Sequence, residues 1–305
     1  MEFSTKEVND LLDYSKTMID HINLCKQIPC FDELRKLQYL TFAGMYYFYG
    51  AKYLNEIIHA FLDTEIIYST ESVVDALKKY TNNTSDKIEM LAESNALGFF
   101  YYDFDSNGIM QRKIFIFENC VYSYGEILEC IVHEINHVVN SMNEVRVDGD
   151  DYISIRTGLS NSIFHVDGTI VQEKKALEEV YNALQTCDII DCIFSFAQYD
   201  IKDPNIRESI ERLKSDHQYG YRCQGYSLLT PIFKPLYDCD RFNLVVRESR
   251  LEGTLDKIEL AFDSEAGEGA YKLLGEYFDE LNDGDLFKYF VTKPGTQLLI
   301  KQYTK

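Results

Sequence analysis

Two histidines, His133 and His137, stand four residues apart, and a glutamate, Glu134, follows the first. On a helix, residues i and i+4 share one face about one turn apart, so both imidazoles can reach a single ion. Neutral imidazoles together with a carboxylate suit zinc better than calcium or magnesium. Zinc lowers the pKa of a bound water to about 7, and a glutamate beside the first ring is placed to take that water's proton. The spacing therefore predicts hydrolysis, with His133 and His137 as ligands and Glu134 as general base.

The helix that must carry these residues is well marked. It is predicted over 123–141, SYGEILECIVHEINHVVNS. Ser123 followed three residues later by Glu126 is a capping box, which fixes the start. Cys130, Ile131 and Val132 precede the motif and Val138 and Val139 follow it, all uncharged, so the helix is expected to be buried. Two imidazoles on a buried face need partners, because unpaired polar groups there are costly. A metal ion is one solution; two core histidines satisfied by hydrogen bonds are the other.

The surrounding elements read as helices, then a small sheet enclosing the special helix, then helices again. Residues 1–66 look helical, with Leu34–Leu62 apolar almost all round and expected as a central buried helix or helix pair. A second helix signal covers Ser72–Tyr80, and TNNTSD at 81–86 is a loop candidate. Leu97–Phe104 and KIFIFE at 113–118 flank DSNG, which predicts a β-hairpin. EVRV at 144–147 and YISIR at 152–156 flank DGDD and predict a second hairpin, with SIFHV at 162–166 as a third short strand. DGDD lacks the spacing of a calcium loop, so it is read as a turn. A long helix is expected from Glu173 to Ile190. Another opens with Asp203 as N-cap and Pro204 in its first turn, and others lie near 226–238, 254–262 and 268–282. The expected class is α+β, divided into a helical region 1–96, a catalytic core 97–200 and a C-terminal helical subdomain 201–305.

The motif, the aromatic hairpin before it and the helix after it resemble the zincin metallopeptidases, over roughly residues 97–190. The resemblance implies a zincin-like core and a peptide or protein substrate. It does not extend to the metzincin branch, whose pattern needs Gly and His where this chain has Asn140 and Asn143. In the gluzincin branch the third ligand is a glutamate from a later helix, which here falls in Leu177-Glu178-Glu179-Val180-Tyr181-Asn182. Glu179 is favoured because Leu177, Glu179 and Thr186 align with the L-N-E…T pattern of such enzymes. Glu178 is the alternative, because Asn182 lies four residues on, where the family often carries an acidic group. The chain departs from the pattern in having no Asn before Glu179 and Ala183 four residues after it. The family also implies an oxyanion donor from the C-terminal part, for which DHQYGYRCQGY offers His217, Tyr219, Tyr221 and Tyr226. Arg156, in the step Arg156-Thr157-Gly158-Leu159, is a candidate to hold a substrate carboxylate, to buttress Glu178 or Glu179, or to form a structural ion pair. The edge strand of a zincin hairpin pairs with an extended peptide, and KIFIFE is a candidate for that role if it is not a central strand.

Composition bounds the remaining possibilities. A net charge of −20 over 305 residues disfavours nucleic-acid binding. The most apolar run, Tyr39–Ala51, is shorter than the about 20 residues a bilayer span takes, so no membrane role is expected. Eight cysteines are scattered with no C-x-x-C pair, and the N-terminus has no apolar leader. Both point to the cytoplasm. The oligomeric state is not legible. Two functions compete with a zinc peptidase: an interaction module on a zincin scaffold, and a zinc hydrolase acting on a non-peptide amide.

Overall fold

In the computed structural model the described residues are 5–26, 32–81, 88, 98–104, 110–117, 123–148, 152–165, 170–200, 204–218 and 229–282. The chain is α+β. Its contacts group it into two compact units, one comprising 1–139 with 186–220 and the other 140–185 with 221–305. This grouping differs from the division 1–96, 97–200 and 201–305, which followed sequence order. The boundary falls inside a single continuous helix, Lys175–Asp200, so that helix belongs in part to each unit.

In the first unit the apolar N-terminal run folds as a helix pair, as expected. Helix α1 (Thr5–Lys26) packs on α2 (Asp32–Tyr49), and α3 (Leu54–Asp63) follows after one short 3-10 turn. Leu37, Leu40, Phe42 and Met45 of α2 are completely buried. The reading of 1–66 as helical ends too late. Strand β1 (Thr64–Ser69) begins at Thr64, where the β-branched and aromatic run TEIIYS finds a partner strand. Helix α4 (Val73–Tyr80) has the expected bounds and is capped by Ser72, whose Oγ accepts the Asp75 N–H at 3.2 Å.

Strands β2 (Gly98–Phe104) and β3 (Met110–Phe117) form the expected antiparallel hairpin; its turn, DSNG, lies outside the described residues. Strand β1 adds to β3 in parallel, with Ile66 opposite Ile114 and Tyr68 opposite Ile116. The order β1-β3-β2 makes the KIFIFE segment central, buried at Ile114, Phe115 and Ile116, so the peptide-pairing edge expected of it is not there. Among the described residues the edges of this sheet are β1 and β2.

Helix α5 (Tyr124–Val139) packs against α2, α3, β2 and β3. The helix Lys175–Asp200 is α6, and α7 (Pro204–Gln218) follows it. Asp203, its expected N-cap, lies outside the described residues. Helix α7 lies across the start of α5, where the Gly125 N–H donates to Ser209 Oγ at 2.9 Å. Within this unit the later part of α6 comes close to α2: a Cβ at Gly44 would sit 2.6 Å from Ile193 Cγ1.

The second unit carries an antiparallel sheet in the order β4-β5-β6-β7. Strands β4 (Ser141–Asp148), β5 (Tyr152–Thr157) and β6 (Ser160–His165) correspond to the predicted hairpin and third strand. Strand β7 (Ile170–Glu173) was not expected, and it corrects the helix start from Glu173 to Lys175. Between them Lys174 takes φ +57°, and the Asp279 carboxylate accepts the N–H groups of Lys174 and Ala176, supplying the helix cap from far along the chain. Helices α8 (Thr230–Tyr237), α9 (Asp240–Glu252), α10 (Leu255–Ala266) and α11 (Ala270–Asn282) complete the unit. Helix α9 was missed in sequence because DRFNLVVRESRLE is mostly polar. Its core is aromatic: Phe233 meets Tyr181 at 6.0 Å and Phe242, Phe262 and Phe278 at 6.2 Å. Among the described residues no helix is long and apolar enough to cross a membrane.

Candidate metal centre

The Ser123 half of the expected capping box of α5 forms. Ser123 Oγ accepts the Glu126 N–H at 3.2 Å, and the Glu126 carboxylate lies 3.4 Å from the same hydroxyl. Inside the motif, Tyr49 of α2 donates its hydroxyl proton to Asn136 Oδ1, and both residues are buried. That bond fixes the rotation of α5 against α2, and with it the direction in which His133 and His137 project.

The two rings turn towards each other. Their centroids are 4.8 Å apart with planes at 84°, and the two Nε2 atoms face each other at 3.2 Å. Two donors each about 2.0–2.1 Å from a tetrahedral zinc would be separated by about 3.3 Å, so this spacing suits one shared ion. Glu179, the expected third ligand, stands on the part of α6 that belongs to the second unit, and it is partly exposed.

Burial distinguishes these residues from their neighbours. Residues 130–140 of the chain are all buried except His133, and residues 176–186 are all buried except Glu179. His133 and Glu179 are thus the partly exposed positions in these two otherwise buried stretches. Glu134 is 9% exposed and three residues before His137, so it lies on the same side of α5 as the second ring.

Behind His133, Thr186 Oγ1 lies 3.5 Å from Nδ1. Thr186 sits on α6 seven residues after Glu179, so one face of this helix presents both the acid and the hydroxyl. Ala183, four residues after Glu179, lies on that face and offers no polar group.

Glu178 points elsewhere. It is 1% exposed, its Oε1 forms an ion pair with the fully buried Arg250 of α9, and its Oε2 accepts the Leu159 N–H at 2.6 Å. Arg250 also donates to Gln185 Oε1 and lies 4.6 Å from the centre of the Tyr181 ring. The Arg156–Leu159 step contains the two-residue turn between β5 and β6 that seats this acid. Gly158 adopts φ +56°, and a Cβ there would fall 2.2 Å from Glu178 Oε2. Tyr271 donates to the Leu159 carbonyl at 2.7 Å. Burial, helped by the charge of Glu178, holds the Tyr271 phenol well above its ordinary pKa, so it remains a donor. Arg156 is itself buried at the end of β5.

Of the proposed oxyanion donors, His217 falls in the last turn of α7, while Tyr219, Tyr221 and Tyr226 lie outside the described residues. Sequence reasoning missed Arg250 and Tyr49. Neither belongs to a local pattern: they reach their partners across 72 and 87 residues of chain. Among the described residues Cys130, Cys187, Cys192 and Cys239 form no disulfide. No family model matches this chain, and no curated protein or solved structure matches it.

Proposed function

We propose that this chain is a zinc-dependent metallopeptidase of gluzincin type, with His133, His137 and Glu179 as ligands and Glu134 as general base. What supports this reading is the pair of imidazole nitrogens that face each other at 3.2 Å on one helix, with His133 partly exposed and Glu134 on the side of the second ring. The donor set, two nitrogens and one oxygen, leaves a fourth position for water or substrate, as catalytic zinc sites do. Bound zinc would supply an acidified water and polarise the scissile carbonyl. The chain's own residues do the rest. Glu134 takes the proton of the attacking water and returns it to the leaving amine. Asn136 and Tyr49 hold the helix in register, and Arg250 withdraws Glu178 so that Glu179 alone of the pair is presented. Strand β2, on which α5 packs, offers its open edge to an extended peptide. The cytoplasm, where eight cysteines without a C-x-x-C pair stay reduced, is the proposed compartment.

The test is zinc content by mass spectrometry together with cleavage of a mixed peptide library. The purified chain is expected to carry one zinc and to cut peptides. Glu134→Gln should keep the zinc and lose about 10²–10⁴-fold in turnover, the usual worth of a positioned acid–base group. A chain that takes up no zinc at micromolar concentrations rejects the metal site. A zinc-loaded chain that cleaves amides of small molecules but no peptide rejects the substrate class alone.

A further inference from the structure

We infer that Thr186 is a positioning residue for His133: its hydroxyl accepts the Nδ1–H and holds the ring in the tautomer whose Nε2 lone pair faces His137. This rests on the zinc reading above and adds a residue to it.

An imidazole that binds metal through Nε2 must carry its proton on Nδ1, and the partner of that proton sets both tautomer and ring orientation. For His133 the two ring nitrogens have separate neighbours. Nε2 faces His137 Nε2 at 3.2 Å, and Nδ1 faces Thr186 Oγ1 at 3.5 Å. The opposite tautomer would place a proton on Nε2 and direct it at His137, giving a histidine–histidine hydrogen bond that closes the site to a cation. Thr186 therefore weighs between two states of the same ring pair. A hydroxyl has two acceptor lone pairs, so it receives the Nδ1–H whatever its own proton does. Thr186 is completely buried, which keeps water from replacing it in this role. Thr186 follows Glu179 by seven residues, so the two share one face of α6.

The experiment compares Thr186→Val, which keeps the shape and removes the hydroxyl, with Thr186→Ser, which keeps the hydroxyl. Zinc affinity is read by competition with a chelating dye, and the His133 tautomer in the metal-free protein by long-range ¹⁵N–¹H correlation. Thr186→Val should weaken zinc binding by about 10–100-fold and move the His133 proton from Nδ1 towards Nε2, while Thr186→Ser stays close to the parent in both readouts. If Thr186→Val does not fold, Thr186→Ala carries the same comparison. Unchanged affinity and tautomer in the hydroxyl-free variant, or a serine variant as weak as the valine one, overturns the inference. A parent chain that binds no zinc rejects the metal reading instead. The metal-free spectrum then decides the role of Thr186 alone: Nδ1–H in the parent and loss of it in Thr186→Val uphold it, and any other pattern overturns it.

Discussion

Glu178 and Glu179 are neighbours on α6, yet they serve two unlike regions. Glu178 enters a closed network in which Arg250, the Leu159 N–H and the Gly158 turn occupy its carboxylate. Glu179, one residue on, is partly exposed, and under the zinc proposal it would join two imidazoles. In the first region the chain supplies the cation itself, a guanidinium whose charge is permanent. In the second the proposal calls on ring nitrogens, which satisfy an acid only when a proton or a metal ion joins them. A buried acid beside arginine therefore reads as architecture, and an acid brought to paired histidines would read as a cation site.

The largest effect that would sharpen this contrast is on metal binding. Glu179→Gln should weaken zinc binding by more than the roughly 100-fold typical of losing a supporting group. Glu178→Gln should leave it within a few-fold, measured by chelator competition on folded protein. Equal losses would break the distinction. Arg250→Met should next cost about 3–5 kcal/mol in urea unfolding, because it strands a buried carboxylate. The double variant Arg250→Met with Glu178→Leu should recover most of that loss. Gly158→Ala combines a left-handed φ with a clash against Glu178, and should cost about 1–3 kcal/mol without changing the ligand set. Tyr49→Phe is expected to be the mildest, up to about 1–3 kcal/mol by thermal melting, since it deprives buried Asn136 of one donor. A Tyr49→Phe chain that keeps full stability and zinc affinity would remove the α2–α5 bond from the account.

Where the pattern was local, the chain was readable. The helix start at Ser123, the His133–His137 spacing and the 98–117 hairpin each rest on neighbours within a few residues or on one helix period. Elements stabilised from a distance were not. Strand β1 exists because β3 lies beside it, and β7 stops before α6 because Asp279, over a hundred residues on, caps the helix there. Helix α9 carries too few apolar residues to show a face, so Arg250 stayed hidden with it.

By itself the sequence determined which side chains can share one helix face, because a period of 3.6 residues is a local property of the backbone. It therefore determined that His133 and His137 would stand one turn apart with Glu134 beside them. Only the tertiary structure decided what surrounds the two adjacent acids of α6. A helix rotates by about 100° per residue, so Glu178 and Glu179 face different surroundings, and those surroundings are built by segments far away in the chain.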